Sequence, residues 1–267
     1  MRNDEAYANT AFIPEGASYP ERWAEASDAW RRREEAMGRA RLNQSYGEDP
    51  RQRYDLYYPA GRPRGLVVLF HGGYWRAFGR EDFAHLSAGC TATGWAVAMP
   101  SYRLAPGATI PEITRDAAAA LTSAAAVVPG PVAMTGHSAG GHLVARLACG
   151  AAPEALSRRL VACVPVSPLS DLRPLIETSM NADLRLDTDT ARAESPCLLT
   201  PLAGVTVSVF VGADERPAFL AQARTLAAAW PLAGLNIIPG RHHFDVIEDY
   251  EDPGSLLVRT LTAASRA

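Results

Sequence analysis

Pro131-Val132-Ala133-Met134-Thr135-Gly136-His137-Ser138-Ala139-Gly140, followed by His142-Leu143-Val144-Ala145-Arg146-Leu147-Ala148, decides how this chain is read. The apolar run reads as a strand and the second segment as a helix. Between them lies Gly-x-Ser-x-Gly, a sharp turn carrying a serine. The flanking glycines remove Cβ atoms that would collide with the adjoining strand and helix. The hydroxyl of Ser138 is thereby thrust out at the carboxyl end of a strand, where a base can reach it. The pentapeptide alone is common in turns, and its strand and helix flanks give it meaning.

Working outward, strands and helices alternate. Strands are expected at Arg53–Pro59, Leu66–Phe70, Trp95–Met99, Leu160–Val166, Val205–Val211 and Leu235–Ile238. Helices are expected at Arg80–Thr93, Ile113–Val128, Ala218–Trp230 and Ser255–Ala264. Leu66–Phe70 and Trp95–Met99 are continuous apolar runs of the kind buried on both faces. Alternation of this sort implies right-handed crossovers and a mostly parallel α/β sheet covered by helices on both faces. Sites on such sheets lie beyond the carboxyl ends of the strands.

Two segments depart from the rhythm. Residues 1–50 are polar and read as an N-terminal helical extension packed on the main domain of residues 51–267. A helix is expected from Pro20 to Met37, with Trp23 and Trp30 packing on the core or, as the second choice, across the mouth of the active site. Residues 171–200 mix charges with Met180 and several leucines and read as a small cap or excursion over the site.

The chain has 267 residues, enough for one large α/β domain, with 48% hydrophobic and 21% charged residues and a formal net charge of −3. That balance gives no reason to expect nucleic acid or an anionic membrane as partner. Arg31-Arg32-Arg33 is offset at once by Glu34-Glu35 and reads as a solvated helix face. Cys90, Cys149, Cys163 and Cys197 are widely spaced, without a C-x-x-C pair, and read as reduced thiols. The first residues lack the apolar core of a signal peptide, and the Ala-rich stretch 117–128 is too short to span a bilayer. A cytoplasmic protein is expected, with no metal and no cofactor.

A serine hydroxyl needs a base, a group to orient that base, and donors for the oxyanion formed on attack. Downstream of Ser138, His242 and His243 are adjacent after the last strand, and the local sequence does not choose between them. The carboxylates Asp214 and Glu215 stand side by side after the strand ending at Val211. Adjacent residues cannot both face one imidazole, so one is the acid. The first oxyanion donor is the N–H of Ala139, and the second lies in His71-Gly72-Gly73-Tyr74-Trp75 after the Leu66–Phe70 strand. His71 reads as a structural histidine, His142 as packed or solvent-facing, and Asp116 as a charge on a helix surface.

These motifs together resemble one group of proteins. His71-Gly72-Gly73-Tyr74-Trp75 is similar to the H-G-G-x-W signature of the kynurenine formamidase (arylformamidase) branch of the α/β-hydrolase superfamily. Tyr102-Arg103-Leu104-Ala105-Pro106 resembles a segment shared with hormone-sensitive-lipase-like esterases. Asp171-Leu172-Arg173-Pro174-Leu175 and His243-Phe244-Asp245 resemble further formamidase stretches. The resemblance implies an α/β-hydrolase fold with Ser138 as nucleophile and His243 as base. It implies Glu215 as acid, in place of the commoner aspartate, with Asp214 the alternative. It also implies an oxyanion hole of Gly73, Tyr74 and Ala139, with Gly72 making the bend; Tyr74 and Trp75 are candidates to border the substrate, with core packing the equal alternative for Trp75. The implied activity is hydrolysis of a small-molecule aryl formamide such as N-formylkynurenine. A carboxylesterase for short-chain esters is the alternative, and an inactive ligand-binding fold is the distant one.

Overall fold

The computed structural model describes residues 3–263 and contains one eight-stranded sheet. Its strands are β1 (Ala40–Ser45), β2 (Arg53–Tyr57), β3 (Leu66–Phe70), β4 (Ala96–Pro100), β5 (Val132–His137), β6 (Leu160–Val166), β7 (Thr206–Gly212) and β8 (Gly234–Ile238). The helices are α1 (Asp4–Tyr7), α2 (Tyr19–Ala36), α3 (Ala88–Ala92), α4 (Ile110–Val127), α5 (Ala139–Arg146), α6 (Glu154–Ser157), α7 (Asn181–Leu184), α8 (Thr188–Ala193), α9 (Pro217–Ala229) and α10 (Leu256–Thr262).

The spatial order is β1-β2-β4-β3-β5-β6-β7-β8. β2 is antiparallel to both β1 and β4, and the strands from β4 across to β8 run parallel. From β3 the chain steps outward to β4, then returns past β3 to β5. The strand order therefore reverses between β3 and β5, where Phe70 lies in register with Gly136. A crevice opens at such a reversal, at the carboxyl ends of the strands. The Gly72–Tyr74 loop leaves β3 there and the Ser138 turn leaves β5 there, so the topology alone brings the two motifs together.

Side chains of the central strands alternate between two buried layers, as the strand period requires. Leu66, Val68 and Phe70 of β3 face one layer with Ile113 and Leu121 of α4, Leu143 of α5 and Phe219 of α9. Val67 and Leu69 face the other, with Trp23 of α2, Cys90 of α3 and Val258 of α10. Every residue of β3, β4, β5 and β6 is buried; β3, β4 and β6 read as apolar runs, while β5 ends in the buried Thr135, Gly136 and His137 that lead into the serine turn.

Several expectations are corrected. Residues 40–45, grouped with the helical extension, form the edge strand β1. Its sequence Ala-Arg-Leu-Asn-Gln-Ser is too polar to read as a strand, because an edge strand is only half covered. The expected helix at Arg80–Thr93 is two 3₁₀ turns followed by the five-residue α3. The helix expected from Ile113 begins at Ile110, behind a capping box in which Thr109 and Glu112 bond reciprocally and with Pro111 in the first turn. Residues 171–200 consist of 3₁₀ turns at Arg173–Glu177 and Pro196–Leu198 flanking α7 and α8. The end of the last expected helix, Ala264, lies outside the described residues. Among the described residues, no helix is long and apolar enough to cross a membrane.

α2 is tied to the sheet by charge as well as by packing. Asp55 of β2 is fully buried and pairs with Arg31 of α2 and with Arg80, which donates to it at 3.1 Å. The N–H of Asn43 and the hydroxyl of Tyr57 also donate to this carboxylate. A buried charge so fully partnered is tolerated, whereas removal of one partner leaves an uncompensated ion.

Candidate active site

Ser138 stands at the tip of the turn between β5 and α5 with φ +55° and ψ −114°, a conformation L-residues rarely adopt. Its N–H donates to the Val166 carbonyl at 2.9 Å, which fixes the turn to β6. α5 passes so close to β3 that a Cβ on Gly140 would strike the Phe70 carbonyl oxygen. Glycine at 140 therefore permits the approach that brings the turn against the neighbouring loop.

That neighbouring loop is strained as well. Gly73 has φ +108°, and the non-glycine residues Tyr74 and Trp75 have φ +51° and +56°. The N–H groups of Arg76 and Ala77 both donate to the Gly73 carbonyl, closing a tight turn. Among the described residues, the N–H groups of Gly73, Tyr74 and Ala139 donate to no protein acceptor. His71 braces the loop: its Nδ1–H donates to the Gly72 carbonyl at 2.7 Å and its ring stacks on Tyr102 at 4.3 Å. The Tyr102 hydroxyl donates to the His71 carbonyl. Burial pushes His71 down to about 4, so it is neutral at physiological pH.

Across the crevice, His243 Nδ1–H donates to Glu215 Oε2 at 2.6 Å, both side chains being buried. The other carboxylate oxygen, Oε1, accepts from the Ser167 hydroxyl at 2.5 Å and from the Gly212 N–H at 2.8 Å. Both carboxylate oxygens of Glu215 are thus engaged by three hydrogen bonds, which fixes the carboxylate and through it the imidazole. Phe219 and His137 pack on the His243 ring at 4.1 and 4.5 Å. Burial holds His137 well below the usual imidazole range, and the neighbouring His243 adds to the effect.

The two pairs that the sequence left open fall apart in space. Asp214 is exposed, and its backbone N–H bonds the Arg241 carbonyl. His242 turns away from the crevice: Nδ1 lies 3.0 Å from Asp245, and Nε2 lies 3.3 Å from the Tyr19 hydroxyl.

Ser138 and His243 line one cavity of about 860 Å³. Gly72, Gly73 and Tyr74 form one wall of it, and Trp23, Phe78, Phe83 and Phe244 form an aromatic wall. The volume suits a small organic ligand. Of the two readings for Trp75, core packing holds and bordering the substrate does not: it is fully buried, edge-on to His142 at 5.0 Å. Consecutive left-handed residues send Tyr74 to the cavity and Trp75 to the core, where the large indole loses most of its contact with water. His142 is likewise buried, donating from Nε2 to the Glu194 carbonyl at 2.8 Å. Asp116, expected on a helix surface, is buried and holds Arg103 by two side-chain hydrogen bonds and Gln52 by a third. Among the described residues, no cluster of three or more His, Cys, Asp or Glu side chains could hold a metal ion. The four cysteines are free thiols.

Two contributors were not singled out from sequence. Ser167 directly follows β6 at φ +48°, and a serine at the carboxyl end of an expected strand was the available signal. The other is the N-terminal segment around Tyr7 and Asn9, which lines the cavity. Nothing local in its sequence distinguishes it from a tail.

Comparison with known proteins agrees with this architecture. A profile described as the alpha/beta hydrolase fold matches residues 67–205, more than half of the chain. A Silicibacter sp. TM1040 protein, provisionally described as a thioesterase, has a crystal structure similar to this one at a TM-score of 0.95. The two are 49% identical, over 98% of this chain and 99% of that one. Kynurenine formamidase of Danio rerio is 26% identical over 81% of this chain and 78% of its own length. An esterase of Pyrobaculum calidifontis shares the fold at a TM-score of 0.66, with 20% identity over 88% of this chain and 87% of its own. The reversal crevice, the strained serine turn and the matching profile lead to one conclusion: this chain belongs to the alpha/beta-hydrolase fold family and is a hydrolase similar to the kynurenine formamidases.

Proposed function

We propose that this hydrolase works through an acyl-enzyme on Ser138 and that its substrates are aryl formamides of the N-formylkynurenine type. The observation that carries the reading is the His243–Glu215 pair lining the same cavity as the strained serine turn. With Nδ1–H held by Glu215, the Nε2 of a neutral His243 is left with its lone pair and can accept the Ser138 proton. Ser138 Oγ then attacks the formyl carbon. The carbonyl oxygen becomes an oxyanion for which the unpartnered N–H groups of Ala139, Gly73 and Tyr74 are the donors. Collapse breaks the C–N bond, and His243 returns the proton to the departing arylamine. Water, deprotonated by the same nitrogen, attacks the formyl ester, releases formate and restores the serine.

Formamide is favoured over ester by the H-G-G-x-W loop, the aromatic wall of the cavity and the similarity to kynurenine formamidase. Glu215 serves as the acid, and the Ser167 and Gly212 contacts hold its longer side chain in place. A second reading, hydrolysis of a thioester or oxyester, draws on the 49% identical Silicibacter protein. The same machinery cleaves each bond, so fold does not choose between them. Hydrolysis rates for N-formylkynurenine, phenyl acetate and an acyl thioester, measured side by side, test the choice. The formamide is expected to show the highest kcat/KM. Turnover of ester or thioester with none of the formamide would reject the aryl formamide assignment.

A further inference from the structure

The N-terminal segment crosses the cavity as a pinned strap. The Tyr7 carbonyl accepts from the Tyr74 hydroxyl at 2.6 Å, and the Tyr7 hydroxyl accepts from Gln222 Nε2 at 2.9 Å. The Tyr7 ring also packs edge-on against Phe219, which itself lies on His243. Two residues further on, Asn9 lines the same cavity as Ser138 and His243, and only 7% of it is exposed. It stands at the head of the 3₁₀ turn Thr10–Phe12, where an asparagine commonly caps the N–H groups that follow, yet its side chain makes no capping bond. Among the described residues its carboxamide has no protein hydrogen-bond partner, and Oδ1 is buried. An unpaired buried amide is costly, and a native protein rarely keeps one without a use.

We propose that Asn9 is a specificity-determining residue whose carboxamide hydrogen-bonds a polar substituent on the aryl leaving group. The inference rests on the aryl formamide reading for the identity of that leaving group. The chemical class follows from the surroundings. Oδ1 is closed off from the cavity in this conformation, and a turn of the carboxamide about χ2 presents donor and acceptor side by side to a group that offers both, such as another carboxamide or a zwitterionic amino-acid side chain. The nearby cation Arg76 is already paired with Asp183 at 2.5 Å, which leaves the neutral Asn9 as the reader. A substrate with a bare ring leaves the amide unpaired, whereas one with a matching group satisfies it, and sites of this kind discriminate through that difference.

The test compares formanilide with its ortho- and para-carboxamide derivatives in the native chain and in Asn9→Leu, which is close in volume. In the native chain, one derivative is expected to exceed formanilide in kcat/KM by a factor of about ten to one hundred. In Asn9→Leu that ratio is expected to collapse toward one, with formanilide itself turned over faster than by the native chain. Thermal unfolding of the variant is expected at or above the native midpoint, since an unpaired polar group has been removed. A native chain that prefers neither derivative, or a ratio unchanged in Asn9→Leu, overturns the proposal. If the native chain cleaves none of the three formamides, the aryl formamide reading fails. The same ratio is then read from phenyl acetate and its two carboxamide derivatives, with the same outcomes for and against Asn9.

Discussion

Glu215→Gln tests how the proposed acid acts. Glutamine is nearly isosteric, and its amide oxygen can still accept from Ser167 and Gly212, so the fold is expected to survive. Its amide nitrogen then faces His243 Nδ1 across the 2.6 Å now spanned by the charged hydrogen bond. Two N–H groups cannot face each other at that distance. The ring must move its proton to Nε2, leaving Nδ1 as acceptor for the glutamine. An imidazole protonated at Nε2 has no lone pair there for the Ser138 proton. The corresponding swap in Ser-His-Asp hydrolases costs about 10⁴ in kcat, or ~5.5 kcal/mol of barrier. The same order is expected for Glu215→Gln. Asp214→Asn alters an exposed side chain and should change kcat by about twofold at most. Both are read from kcat on an aryl formamide at pH 8, with a melting curve for each variant. A folded Glu215→Gln that keeps more than about a tenth of native kcat, or an Asp214→Asn with the larger loss, would refute the reasoning.

Three further perturbations follow from the packing and the buried charges. Gly140→Ala drives a Cβ into the Phe70 carbonyl and should cost about 3 kcal/mol or more in chemical denaturation. Gly61→Ala meets nothing within 4 Å and should be near neutral, so equal effects would contradict the account. Asp116→Ala strips Arg103 of its buried partner and should destabilise by about 3 kcal/mol, whereas a loss below about 1 would mean that the pair holds little. Burial pushes His71, His85 and His142 each down to about 4. Unfolded histidines titrate near ~6.5, so between those values the unfolded chain binds more protons than the folded one. Their contribution is complete above pH ~6.5 and is lost as pH falls toward 4, at about 1.4 kcal/mol per pH unit for each histidine. The melting midpoint should therefore drop clearly from pH 7.5 to pH 5, and an unchanged midpoint would contradict the assignment of neutral buried rings.

The parts of this fold legible in sequence are those whose signal is local. β3, β4 and β6 announce themselves because strands buried on both faces are almost wholly apolar, and β5 does so through Val132-Ala133-Met134 ahead of its polar carboxyl end. The serine turn is legible because backbone sterics demand glycine at 140. The edge strand β1 is hidden, since half its surface faces water and its composition resembles a loop. Asp116 reads as a surface charge because its partners, Arg103 and Gln52, come from other parts of the chain. The same limit applied at the site. Adjacent residues such as Asp214 and Glu215, or His242 and His243, differ in direction and not in composition, and direction is set by the loop each one ends. Trp75 illustrates the converse: an aromatic residue in a motif loop points to the core when two successive left-handed residues turn the chain. The strap that carries Tyr7 and Asn9 had no local signature, because its role comes from contacts more than sixty residues away in sequence, such as Tyr74 to Tyr7 with a separation of 67.

The central claim is that Ser138 is the nucleophile, and covalent trapping tests it most directly. The native chain is treated with a fluorophosphonate probe, digested, and its adducts are located by mass spectrometry. The account predicts one adduct, on the peptide carrying Gly136-His137-Ser138, absent in Ser138→Ala and slowed in Glu215→Gln. An unlabelled native chain, or equal labelling of Ser138→Ala, would contradict it.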